Sequence, residues 1–146
     1  MFLGRYEHTL NKQGRTSIPA KFREICKESG EDCLILTNDD GFLVAYPLGE
    51  WKAFEEKLSQ LSQTSREVRE FLRFFVSGAQ ECPIDSQGRI LVPPTLREHA
   101  GLEKEIVLVG MLKRIEIWSK ERWVKEFEHS RARFNENSQA LANLGL

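Results

Sequence analysis

The chain matches itself when slid by 74 residues, and no other feature constrains its fold as strongly, because such a repeat forces two copies of one supersecondary unit into a single architecture. Gly4, Glu7, Gln13-Gly14-Arg15, Pro19 and Arg23-Glu24 fall over Gly78, Glu81, Gln87-Gly88-Arg89, Pro93 and Arg97-Glu98. After a two-residue gap the match resumes, with Tyr46 over Trp118 and Trp51 over Trp123, so each copy is about 50 residues long. A unit of that size buries too little apolar surface to offset its chain entropy. The two copies must therefore share one core or recruit other subunits.

Within each copy the pattern predicts strand, turn, strand, short helix, hairpin and helix. Asn11-Lys12-Gln13-Gly14 and Asp85-Ser86-Gln87-Gly88 read as turns, where Asn or Asp bonds the backbone two residues on and Gly supplies a positive φ. Thr16-Ser17-Ile18 and Ile90-Leu91-Val92 are β-prone and stop at a proline that pre-sets the first turn of a helix. Those helices are expected over 20–26 and 95–100, the second closed by Gly101. Leu34 to Thr37 and Phe42 to Tyr46 flank Asn38-Asp39-Asp40-Gly41, and Ile106 to Val109 and Arg114 to Trp118 flank the stretch from Gly110 to Lys113; each pair reads as a hairpin.

Between the copies, Trp51, Phe54, Leu58 and Leu61 recur at helical spacing. Thr64-Ser65-Arg66-Glu67 has the form of a capping box opening a second helix, with Val68, Phe71, Leu72 and Phe75 on one face. These stripes are expected to be core or subunit interface. Ser119 caps a further helix with Trp123, Val124 and Phe127 inside, after which the chain is polar and poorly patterned, so a disordered tail is expected. The expected organisation is a first repeat at 5–51, connecting helices at 52–76, a second repeat at 77–123, and the end of a helix with a polar tail at 124–146.

Composition serves mainly to exclude. Hydrophobic residues at 40% and charged residues at 29% are the balance of a soluble globular protein, with no apolar run of the roughly 20 residues a membrane helix needs. The first residues show no secretory pattern, so a cytoplasmic protein is expected. Cys26, Cys33 and Cys82 match neither a disulfide framework nor a metal site and are expected to be small reduced core residues. His8, His99 and His129 are scattered without companion ligands, no phosphate-cradling glycine loop or nucleophile motif occurs, and Leu36 falls where a calcium loop at Asp39 to Gly41 would need a carboxylate. The carboxylates are spread along solvated helix faces. An enzyme, a metal, a cofactor and a small-molecule substrate are therefore not expected. The formal net charge is only −1, yet residues 1–27 hold six basic against two acidic side chains, so positive charge gathers at the front.

The doubled Asn11/Asp85-x-x-Gly-Arg15/Arg89 loop, the following Pro and Arg23/Arg97, the Met-Phe-x-Gly start and the tandem arrangement together resemble the MraZ family. Each half is similar to the AbrB-like swapped-hairpin module of bacterial transition-state regulators. The resemblance runs over roughly residues 1 to 128, and the family's D-x-x-x-R signature stands intact as Asp85 to Arg89. Asn11 replaces the usual Asp of the first copy, and Leu3 replaces an Arg often seen in the opening segment. The resemblance implies an α+β fold of two pseudo-symmetric swapped-hairpin units sharing one core, with connecting and C-terminal helices packed outside. It also implies a ring oligomer that regulates the bacterial cell division and cell wall gene cluster by binding double-stranded DNA at short direct repeats in its own promoter.

The same residues offer a physical route to that function. Arg15 on a glycine turn can enter the major groove and read guanine O6 and N7, while Lys12, Lys21, Arg5 and Arg23 neutralise phosphates. The second copy has Ser86 and Thr95 in place of Lys12 and Lys21. Asn11 and Gly14 of the first copy and Asp85, Gly88, Arg89 and Arg97 of the second read as loop structure or secondary DNA contact, with Asp85 and Arg89 a clasp within the second unit. The competing expectation is an antitoxin-like or assembly module whose apolar helices between Trp51 and Phe75 bind protein partners.

Overall fold

The computed structural model describes residues 1–28, 30 and 32–146. The first copy of the repeat supplies β1 (Arg5–Thr9), β2 (Arg15–Ser17), α1 (Ala20–Glu28), β3 (Cys33–Asn38), β4 (Leu43–Pro47) and α2 (Leu48–Ser59). A connecting helix, α3 (Arg66–Phe71), widens into a π-helical turn at Leu72–Val76. The second copy supplies β5 (Gln80–Pro83), β6 (Arg89–Leu91), α4 (Pro94–Ala100), β7 (Glu105–Met111), β8 (Arg114–Ser119) and α5 (Lys120–Ala132), and α6 (Phe134–Ala142) follows.

The copies exchange strands. In the six-stranded antiparallel sheet the order is β1-β7-β8-β4-β3-β5, so the first strand of each copy pairs with the hairpin of the other, and β4 and β8 join the halves at the centre. The two short strands left over, β2 and β6, pair only with each other, as a ribbon in which Thr16 stands opposite Ile90. The fold is thus α+β, with two pseudo-symmetric units interleaved.

Leu34-Ile35-Leu36 and Leu43-Val44-Ala45 are buried without alternation because both faces of the sheet are covered. On one face Leu36, Leu43, Leu108, Ile115 and Ile117 pack with Ile18 and Ile90 beside the ribbon, Phe22 of α1 and Leu96 of α4 in a single cluster drawn from both copies. On the other face Ile35, Val44 and Tyr46 lie under Trp51 and Leu58 of α2 and Phe75, while Val107, Val109 and Trp118 lie under Trp123 of α5. Burying one such aliphatic side chain contributes about 1.5–3 kcal/mol, against about 0–1 kcal/mol for an exposed ion pair. The shared apolar cluster, not surface charge, holds the copies together.

Several expectations need correction. Gly110 is not a turn residue: it lies in β7, where an added Cβ would sit 2.6 Å from the Leu3 nitrogen and the Phe2 carbonyl carbon, so its place is fixed by the N-terminal segment crossing it. The turn is Leu112-Lys113, with Leu112 at φ 66° and Met111 opposite Arg114. The cap of α3 is Ser65, whose Oγ accepts from the Val68 N–H, one residue later than the capping-box reading. Leu61 falls beyond the end of α2 and is exposed, as are Phe71 and Val124, so each stripe is buried only in part. The chain after Ala132 is helical at 134–142, although α6 buries no residue. A polar sequence hides such a helix because there is no buried face to impose a period. Cys33 is half-buried, unlike Cys26 and Cys82.

Candidate nucleic-acid interface

Both Gly-Arg loops are closed by the same hydrogen bonds. In the first, the Asn11 N–H donates to the Arg15 carbonyl at 2.9 Å, the Gly14 N–H to the Asn11 carbonyl at 2.9 Å, and the Arg15 N–H to Asn11 Oδ1 at 2.8 Å. In the second, the Asp85 N–H donates to the Arg89 carbonyl at 2.9 Å, the Gly88 N–H to the Asp85 carbonyl at 2.9 Å, and the Arg89 N–H to Asp85 Oδ1 at 3.0 Å. An amide oxygen thus replaces the carboxylate without changing the turn. Asp85 Oδ1 takes one further bond, from the Gln87 N–H at 2.8 Å. Gly14 and Gly88 have φ of 92° and 77°, a region other residues enter only under strain.

The loops are stitched to each other. The Ile18 N–H donates to the Gly88 carbonyl at 2.9 Å and the Val92 N–H to the Gly14 carbonyl at 2.8 Å, which extends the β2–β6 ribbon at both ends. Thr16 and Ile90 are buried, so alternation along these strands directs Arg15, Ser17, Arg89 and Leu91 to the outer face. Arg15 stands opposite Leu91 and Arg89 opposite Ser17, which places the two arginines at diagonal positions of one surface. Leu91 is 44% exposed there. Neither Ser17 nor Leu91 is evident as a site residue in sequence; the signal is the period-two alternation, masked in Ile90-Leu91-Val92 by three apolar residues in a row.

The charges on this surface are unequal. Lys12 in the first turn and Lys21 in the first turn of α1 are exposed. In the second loop Arg89 Nε lies 3.6 Å from Asp85 Oδ2, both side chains being partly exposed. The Arg89 N–H holds the Asp85 carboxyl below its ordinary value, helped by the Gln87 N–H and by the positive charges of Arg89 and Arg15. Arg15 of the first copy therefore acts electrostatically on the acid of the second.

Two of the arginines expected to contact DNA pack against other parts of the chain. Arg5 begins β1, at the end away from the turn, and its guanidinium carbon lies 4.5 Å over the Phe127 ring of α5. Arg23 and Arg97 lie on α1 and α4, each turned onto the glycine of the other copy's loop: a Cβ added to Gly14 would be 2.6 Å from Arg97 Cζ, and one added to Gly88 2.7 Å from Arg23 Cζ. Sequence spacing groups Arg23 with Lys12 and Lys21 because a strand exchange between copies leaves no local trace.

Elsewhere, two of the three histidines are engaged with backbone carbonyls. His8 Nδ1 lies 2.6 Å from the Ser17 carbonyl and His99 Nε2 2.6 Å from the Asp39 carbonyl. Burial pushes the Cys26 thiol up to about 11 and the Cys82 thiol to about 12, far from thiolate chemistry at neutral pH. Among the described residues no helix is long and apolar enough to cross a membrane, and no group of three or more His, Cys, Asp or Glu is placed to hold a metal ion.

Comparison with known proteins adds the family context. A family profile with the description "MraZ protein, putative antitoxin-like" matches residues 1–74 and again residues 75–144. The chain is 47% identical to a protein of Clostridium acetobutylicum and 44% identical to one of Caldicellulosiruptor bescii, each named "Transcriptional regulator MraZ", over all of this chain and all of theirs. A solution structure of PHS018 from Pyrococcus horikoshii aligns with 80% of this chain and 88% of its own at 16% identity and a TM-score of 0.32, too slight a likeness to bear on fold or function.

Proposed function

The chain belongs to the MraZ family, and from that premise we propose that it regulates transcription by binding double-stranded DNA through the outer face of the β2–β6 ribbon. The observation that carries this reading is the surface itself: a two-stranded antiparallel ribbon with Arg15 on its outer face, flanked by exposed Lys12 and Lys21. B-DNA's major groove admits a two-stranded ribbon, and a guanidinium matches guanine O6 and N7 with two parallel hydrogen bonds. Lys12 and Lys21 supply phosphate contacts, which set position and not sequence. The relatives' names denote a regulator and not an enzyme class.

With a formal net charge of −1, one subunit has little general attraction for DNA. The reading therefore includes a homo-oligomeric ring that presents several ribbons to short direct repeats in the promoter of its own cell division and cell wall gene cluster. Binding to the second and later boxes then becomes intramolecular, and avidity replaces bulk charge. The test is a mobility-shift assay with DNA from upstream of its own gene, run over a salt series. An array of boxes at natural spacing is expected to bind far more tightly than one box, with a falling log–log salt slope. Equal affinity for the array and for unrelated DNA rejects the sequence-specific reading, and equal affinity for the array and one box rejects the avidity.

A second reading, a protein-binding antitoxin-like module, draws on the exposed Phe71 at the end of α3 and the exposed Phe74 within the π-helical turn. It requires a partner that is retained in nuclease-treated extract and released by Phe74→Ser.

A further inference from the structure

We propose that Arg97 and Arg23 are crossed positioning braces: each guanidinium holds the Gly-Arg loop of the opposite copy in its DNA-reading shape, so that each loop depends on a helix from the other repeat. The claim about DNA rests on the reading above; the claim about loop shape does not.

The geometry is reciprocal. A Cβ built on Gly14 would meet Arg97 Cζ, Nε and Nη1 at 2.6, 2.7 and 2.9 Å, three nearly equal distances that put the guanidinium broadside over the glycine. Gly88 meets Arg23 less squarely, with Nη1 nearest the corresponding point, Cζ at 2.7 Å and Cδ at 3.0 Å. Both glycines are buried although they lie in surface turns, and the covering groups are these two arginines. A glycine at either position thus serves two ends. It permits the positive φ, and it leaves the space that the opposite arginine occupies.

The braces are anchored to the ribbon. The Arg97 Nε–H donates to the Val92 carbonyl at 2.9 Å, and the Val92 N–H donates to the Gly14 carbonyl at 2.8 Å, so α4, the end of β6 and the first loop form one connected path. On the other side the Ile18 N–H holds the Gly88 carbonyl, but Arg23 Nε is buried with no hydrogen-bond partner. The brace on the first loop is consequently the better satisfied of the two, and the first loop is the one that carries Arg15 and Lys12. Fixing a turn before DNA arrives reduces the ordering cost of binding. A planar guanidinium packed over the turn in this way acts on DNA binding through Arg15.

The test is amide hydrogen exchange of the DNA-free full chain, read by NMR, for Arg97→Met and Arg23→Met. Arg97→Met is expected to raise exchange of the Gly14 and Arg15 amides about tenfold while the Gly88 and Arg89 amides keep their protection, and Arg23→Met to do the reverse. Faster exchange in the loop of the same copy, or no change in either loop, overturns the brace. Arg97→Lys keeps the charge and most of the length without the planar group, so it must loosen the first loop as Arg97→Met does; if it restores full protection, charge alone suffices and the proposal fails.

The salt dependence of DNA binding provides the second readout. A brace predicts weaker binding by Arg97→Met with the wild-type salt slope, whereas loss of a phosphate contact lowers that slope by about 0.9 and overturns the positioning role. Failure of the wild-type protein to bind its upstream DNA removes the functional reading and leaves the exchange result to decide the brace.

Discussion

The first and second loops have one backbone and two electrostatic characters. Each is closed by three equivalent hydrogen bonds, yet one closes on the neutral amide of Asn11 and the other on the carboxylate of Asp85. The amide gives the first loop, which holds both Lys12 and Arg15, no acid of its own. The carboxylate sits 3.6 Å from Arg89 Nε and draws charge back into the protein. Turn geometry and surface charge are therefore separable in this fold: the repeat preserves the first and has let the second diverge.

The largest expected difference between the copies is in binding. Arg15→Ala should remove sequence-specific binding, since a bidentate guanine contact is worth about 1–3 kcal/mol and the loss recurs at every subunit of an assembly. Arg89→Ala should keep affinity within a few-fold while lowering thermal stability, because an exposed clasp contributes about 0–1 kcal/mol. Paired titrations of the two variants on one operator decide the matter, and equal losses of affinity would break the division of labour.

A smaller effect separates the two hairpins. Gly110 leaves room for the Phe2–Leu3 backbone across β7, whereas the corresponding Asn38 of β3 fills that space and its Nδ2–H donates to the Phe74 carbonyl at 3.0 Å, the room there being made by Gly78. Gly110→Ala must push the N-terminal segment away, at about 1–3 kcal/mol by the usual cost of overpacking. Chemical denaturation should show the loss, together with faster exchange of the Phe2 amide that now donates to the Leu112 carbonyl. An unchanged midpoint would mean that the crossing segment contributes nothing.

The pH response should be the subtlest contrast, because two second-copy carboxyls pull in opposite directions. Asp85 is held below 3.8, so its contribution to stability is present above that value and is lost as pH falls through the lower folded value. Amides of the second loop should accordingly lose protection in acid before those of the first, whose Asn11 does not titrate. Glu116 lies opposite Val44 at the centre of the sheet, and burial raises its carboxyl above 4.5 despite the Trp118 indole N–H at 2.9 Å and the Arg114 charge. Folding then favours its protonated form, and stability falls as pH rises from 4.5 through the raised value. Glu116→Gln should flatten that segment of a Tm-against-pH profile; a profile that keeps its slope would place the titration elsewhere.

Much of the fold is legible from the internal repeat, with its two-residue gap. It marks both glycine turns, the proline that starts α1 and α4, and both hairpins, because these depend on residues within four or five positions of one another. The turn residues Asn11, Gly14, Asp85 and Gly88 are readable for the same reason. Partnership across the copies is not. Gly110 looks like a turn residue until the N-terminal segment is seen to cross it, and nothing near Arg5 in sequence announces that it packs over Phe127, more than a hundred positions away in the chain.

Sequence alone determined that this chain is a tandem of one unit, where each unit bends, and that net positive charge gathers in residues 1–27. Local backbone preferences and side-chain chemistry suffice for those statements. Only the tertiary structure decided that the copies exchange their outer strands, that β2 and β6 form a separate ribbon, and that Arg23 and Arg97 each serve the loop of the other copy. The physical reason is that strand partners are selected by burial of a shared apolar core, a property of the whole chain that no segment of either copy contains by itself.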